Sequence, residues 1–135
     1  MIKTGIWIDK DKALIVTLKN GEAVLSTLYS SIEHFHVHGG SGTRLKGGPQ
    51  DVVQDSKYLR REKHQLKQFF KKITSKIKGT NALVIFGPSD TNEKFRDELH
   101  ANYKGLSASL RGVKKVDSMT NNQLEALVKD FFSED

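Results

Sequence analysis

Eleven Lys and Arg residues stand between Thr43 and Thr80 against three acids, Asp51, Asp55 and Glu62, giving a local net charge of +8. The whole chain of 135 residues carries +6, so the remainder sums to −2. A positive excess gathered in one stretch attracts polyanions by releasing their counterions. The other reading of such a run is a solvated helix face. Just ahead of it, His34, His36 and His38 alternate with single residues. Neutral imidazole is a good zinc or nickel ligand, and an extended segment would point the three rings to one side at ~7 Å steps. One ion cannot be reached by all three from a straight strand, and no carboxylate or cysteine set completes the site. The histidines are read as part of a solvated loop, and no metal or cofactor is expected.

Two further groups could do chemistry. Asp9 follows an apolar run, where a two-metal nuclease keeps a carboxylate, but such a site needs several converging acids. Asp11, Glu33 and Asp90 sit at turns without a matching pattern, so Asp9 is read as a turn residue. Gly87-Pro88-Ser89-Asp90-Thr91 precedes a helical pattern and could offer backbone N–H groups to a phosphate. It lacks the lysine and spacing of a P-loop, so a turn and helix cap at Ser89, Asp90 or Thr91 is the simpler reading. Trp7, Phe35, Tyr58, Phe69 and Phe70 do not make the stacking series of a single-strand platform, and most belong in the core.

The elements that must carry these residues follow from periodicity. Gly5–Ile8, Ala13–Leu18 and Ala23–Tyr29 read as strands of a meander, with the polar 9–12 turn first and Asn20-Gly21 as the second hairpin signal. Residues 30–50 hold five glycines and the three histidines, and read as a flexible loop. From Asp51, a plausible N-cap, to Lys78 the pattern is helical. Val52, Leu59, Leu66, Phe70, Ile73 and Ile77 form an apolar stripe, while Lys57, Arg60, His64, Lys67, Lys71 and Lys78 form a cationic ridge beside it. Gly79 reads as a C-cap and Ala82–Phe86 as a central strand buried on both faces. A helix over 91–103, a strand over 107–113 and a last helix capped by Thr120 complete the chain. The order β-β-β-α-β-α-β-α predicts an α/β fold with a ribonuclease-H-like mixed sheet, in a single domain over 1–135.

Composition bounds the setting. Hydrophobic residues make 36% and charged residues 28% of the chain, as in a globular domain. There is no cysteine, which excludes disulfides, thiolate metal sites and a cysteine nucleophile. No stretch approaches the ~18–20 apolar residues of a membrane helix, and a cytoplasmic protein without a membrane partner is expected.

Gly47-Gly48-Pro49-Gln50 followed by Lys57-Tyr58-Leu59-Arg60-Arg61-Glu62-Lys63-His64, and later Val84-Ile85-Phe86-Gly87-Pro88 with Lys94-Phe95, resemble the middle domain of the archaeal–eukaryotic peptide release factor and Pelota family. The resemblance covers nearly the whole chain and implies a stand-alone, bacterial-type version of that domain. In the family a Gly-Gly-Gln tip enters the peptidyl-transferase centre and positions water against the peptidyl-tRNA ester. Carried over, Gly47, Gly48 and Gln50 would be catalytic. Arg44, Lys46, Lys57, Arg60, Arg61, His64, Lys67 and Lys71 would contact RNA, with the ribosome or tRNA as partner. Pro49 departs from the pattern: it interrupts the triplet, displaces Gln50 by one residue and fixes its own φ. Pelota-like relatives lack the tip and do not hydrolyse the ester. The expected function is therefore RNA binding in translation. The alternatives are a peptidyl-tRNA or aminoacyl ester hydrolase and an interaction module with no RNA role.

Overall fold

The computed structural model describes residues 1–30, 48–88 and 90–133, the side chains of 48–59 excepted. Three strands open the chain: β1 (Ile2–Ile8), β2 (Lys12–Lys19) and β3 (Glu22–Tyr29). Asp9 makes the first turn, its carboxylate Oδ1 accepting from the N–H groups of Asp11 at 2.8 Å and Lys12 at 2.9 Å. It is a turn residue, as expected. Asn20 and Gly21 take φ of 54° and 82°, the paired positive values of a hairpin turn that follows strand twist.

Helix α1 (Gly48–Lys76) follows, then β4 (Ala82–Gly87), α2 (Thr91–Asn102), the short α3 (Lys104–Ser109), β5 (Leu110–Lys115) and α4 (Asn121–Ser133). The sheet runs β3-β2-β1-β4-β5. The meander pairs are antiparallel, whereas β1–β4 and β4–β5 are parallel. This is the ribonuclease-H-like mixed sheet expected from the element order.

Side-chain alternation divides the interior into two layers. On one face Ile6, Ile8, Ile15, Leu83 and Ile85 pack with Leu66, Phe69, Phe70 and Ile73 of α1, with Ile77 just after it, and with Phe95 and Leu99 of α2. On the other, Trp7, Leu14, Val16, Val84 and Phe86 pack with Leu124, Val128 and Phe132 of α4. β4 is buried at every residue, as its unbroken apolar run requires. Gly5 lets α4 approach β1 closely, since a Cβ there would collide with Val128. Thr120 and Gln123 cap α4 reciprocally: the Gln123 N–H donates to Thr120 Oγ1 at 3.1 Å and the Thr120 N–H to Gln123 Oε1 at 2.9 Å.

Several boundaries differ from the sequence pattern, and α1 ends at Lys76 rather than Lys78. Helix α1 starts at Gly48, ahead of Asp51, because proline in a first helical turn forfeits no hydrogen bond. Residues 48–50 of the expected 30–50 loop thus belong to α1, and the Ser30 N–H bonds the Asp11 carbonyl at 2.9 Å. Residues 31–47 lie outside the described part. Residues 107–109 belong to α3 rather than to a strand, and β5 begins at Leu110, where the parallel register with Leu83 starts.

Candidate nucleic-acid interface

Helix α1 is 29 residues long, and its side chains are described from Arg60 onward. From Leu66 to Ile77 the apolar positions face the sheet, and Phe69 joins them beside the residues expected from the period. The opposite side holds the cations. Arg60, Arg61, Lys63, His64, Lys67, Lys71, Lys72 and Lys76 are all exposed. Among the described side chains of α1, Glu62 is the one acid, and it points the other way. It is 7% exposed and accepts from Lys10 Nζ at 2.9 Å, which ties the helix to the β1–β2 turn. Among the described side chains, the solvent face of α1 is left with one sign of charge.

Such a face has a cost. Lys63, Lys67 and Lys71 succeed one another at four-residue intervals and stand in one row. Each like-charge pair at that spacing destabilises a helix by about 0.2–0.5 kcal/mol. An anionic partner would offset this repulsion. The buried apolar stripe keeps the helix folded in its absence.

Beside the row, α1 and α2 enclose a groove made of two depressions. The larger, about 550 Å³, has Leu66 and Phe70 in its floor and Lys63, Lys94 and Asp97 on its rim. The smaller, about 330 Å³, lies between His64, Gln68 and Lys71 of α1 and Asn102 and Tyr103 at the end of α2. Lys67 and Glu98 line both, so the two adjoin.

Of the residues singled out from the sequence, Arg60, Arg61, His64, Lys67 and Lys71 come together on this exposed face. Lys57 belongs to the same helix, and Gly48 and Gln50 to its first turn. Arg44, Lys46 and Gly47 lie outside the described residues, as do His34, His36, His38 and Glu33. Asp90 occupies the N-cap position of α2 without a side-chain cap bond. Among the described residues no three His, Asp or Glu side chains converge on a metal-sized site. The Gly87 carbonyl accepts from the Val116 N–H at 2.8 Å, so the end of β4 is tied to the residue after β5. Glu98, Asn102 and Tyr103 did not emerge from the sequence. The phase of α2, with Phe95 and Leu99 buried, would have placed Glu98 and Asn102 on its flank, but not opposite α1.

No protein-family model matches the chain, and no curated protein matches it by sequence. Solved structures do. Pelota from Archaeoglobus fulgidus superposes over 96% of this chain with a TM-score of 0.59 at 14% identity. The archaeal translation termination factor aRF1 superposes over 98% with a TM-score of 0.58 at 11% identity. The likeness is one of fold. A further archaeal protein matches over 98% of this chain with a TM-score of 0.53 at 14% identity. The chain spans 31%, 38% and 38% of the lengths of these three structures, so it is similar to one part of each.

Proposed function

We propose that this chain is an RNA-binding domain of the translation machinery, corresponding to the middle domain of release factors and Pelota. In this reading it works in the cytoplasm and docks on tRNA or ribosomal RNA through the exposed cationic side of α1. The observation that carries it is the cationic face of the described part of α1, on a fold shared with Pelota and an archaeal translation termination factor. Arg60 and Arg61 suit bidentate phosphate contacts, while Lys57, Lys67 and Lys71 act as point charges along the backbone and His64 adds a ring nitrogen. Arg44 and Lys46 extend the same contact ahead of the helix. Gly48 and Gln50 stand at the α1 end remote from Lys71, with Gly47 before them in the sequence, the end that would meet the acceptor end of a tRNA. Low-cost backbone approach at the two glycines and a neutral amide at Gln50 suit that position.

The test is co-sedimentation with ribosomes, and tRNA binding by anisotropy, across a salt series. Neutralising four or five phosphates predicts about a hundredfold loss of affinity between about 50 and about 200 mM salt. Joint charge reversal of Lys57, Arg60, Lys67 and Lys71 should remove binding without unfolding the protein. Unaltered binding in that variant would overturn the reading. Peptidyl-tRNA hydrolysis by the wild type and Gln50→Ala, assayed in the same preparation, tells binding alone from ester cleavage.

A further inference from the structure

We propose that the smaller depression between α1 and α2 receives one unpaired nucleotide of the bound RNA and favours a base that carries an exocyclic amino group. The inference rests on the RNA-binding reading above.

The depression joins three kinds of group that a plain phosphate-binding surface does not need together. Lys67 and Lys71 supply charge for the backbone, Tyr103 supplies a ring, and Glu98 with Asn102 supplies polar groups suited to a base edge. Tyr103 is well placed to act as a platform. It sits in the joint between α2 and α3, its N–H bonded to the Leu99 carbonyl and its carbonyl accepting from the Ser107 N–H, each at 2.9 Å. The Ser107 hydroxyl also pairs with His100 Nδ1 across that joint. One part of the ring packs against the core, which limits its rotation, and the side chain borders the depression. Aromatic rings held this way stack bases at little entropic cost.

Glu98 decides the chemistry. A carboxylate on α2 facing the lysines of α1 repels phosphate, so it works against simple polyanion binding. Among the described residues its bond comes from Asn102 Nδ2 at 3.0 Å, not from a lysine. That contact uses one of about four lone-pair sites of the carboxylate. The group is therefore a held acceptor beside an aromatic ring, suited to the amino N–H of adenine, cytosine or guanine. Uracil has no amino group, and the carbonyls flanking its one N–H would face the negative charge. In a regular duplex the bases stay stacked in the helix, and the narrow major groove of RNA keeps side chains from their edges there. The occupant is thus a base from a single strand, loop or bulge.

The experiment is fluorescence anisotropy of the full chain with labelled oligo(A), oligo(C) and oligo(U) of about twelve nucleotides, and a duplex of equal length, at one salt concentration. Oligo(A) and oligo(C) should bind about tenfold tighter than oligo(U) and than the duplex. Tyr103→Ala should lower oligo(A) affinity about tenfold, with Tyr103→Phe retaining it. Glu98→Gln should bring oligo(A) and oligo(U) within about twofold of each other. Circular dichroism checks that each variant is folded, and should Tyr103→Ala unfold, the Glu98→Gln comparison decides alone. If all four RNAs bind alike and neither Tyr103→Ala nor Glu98→Gln matters, while Lys67→Glu with Lys71→Glu abolishes binding, the nucleotide site is refuted and the RNA-binding reading stands. Absence of binding to every RNA at low salt would refute both.

Discussion

The sheet carries helices on both sides, and the two layers are alike inside and unlike outside. Helices α1 and α4 each bury a stripe of Leu, Ile, Val and Phe against alternate residues of the same strands. Outward, the described part of α1 shows seven Lys and Arg with its one acid turned in, while α4 shows Lys129 and Asp130 side by side. On the α4 side, cations from the strands lie over rings: Lys3 Nζ is 5.8 Å from the Phe132 ring centre and Lys114 Nζ 5.4 Å from that of Phe131. On the α1 side, Lys63, Lys67, Lys71 and Lys76 stand in solvent. Burial can therefore be satisfied twice over by the same chemistry, and what separates a structural layer from a candidate binding layer is the excess of exposed cations on the described part of its far side.

If the two layers are equal as cores, truncating either should do comparable harm. Phe69→Ala on the α1 side should cost about 3–5 kcal/mol, and Leu124→Ala on the α4 side about 2–5 kcal/mol, by denaturant unfolding. Both side chains are fully buried. A loss under about 1 kcal/mol for one of them would mean that its layer is dispensable to the fold.

If they are unequal as surfaces, charge reversal should separate them. Lys67→Glu with Lys71→Glu should lower RNA affinity at least tenfold and leave the unfolding free energy within about 0.5 kcal/mol, as for exposed sites generally. Lys129→Glu on α4 should change RNA affinity less than about twofold in the same assay. Equal losses from the two faces would erase the distinction.

Glu62 links the charged helix to the sheet, and its effect should be intermediate. Glu62→Ala removes a nearly buried acceptor from Lys10, and should cost about 1–2 kcal/mol of stability. The smallest effect belongs to α4 itself: Thr120→Ala removes its cap and should cost about 1 kcal/mol, read as a shift of the denaturation midpoint.

Much of the architecture was legible in the residues. The Asn20-Gly21 turn, the left-handed Gly79 with φ 86° in the turn after α1, the β4 run and the phase of α1 all follow from local rules that act within a few positions. The misplaced boundaries lie where local signals are weak or double-edged. Gly48-Pro49 reads as loop punctuation, yet proline is also suited to a first helical turn. Ser107-Ala108-Ser109 has no strong preference, and pairing of Leu110 with Leu83 decides where the strand starts.

The candidate interface divides in the same way. The row of cations on α1 is a one-helix feature, set by a 3.6-residue period, and the amino-acid order alone determines it. The groove beside it is not. His64, Lys67 and Lys71 meet Glu98, Asn102 and Tyr103 only because α1 and α2 pack on the same side of one sheet, and the spacing of residues so distant along the chain carries no trace of that contact. Sequence therefore determined the charge and the helix that presents it. The choice of which side chains face that charge across a gap belonged to tertiary packing, because burial of the apolar stripes sets the phase and distance of the two helices, and the polar residues between them follow.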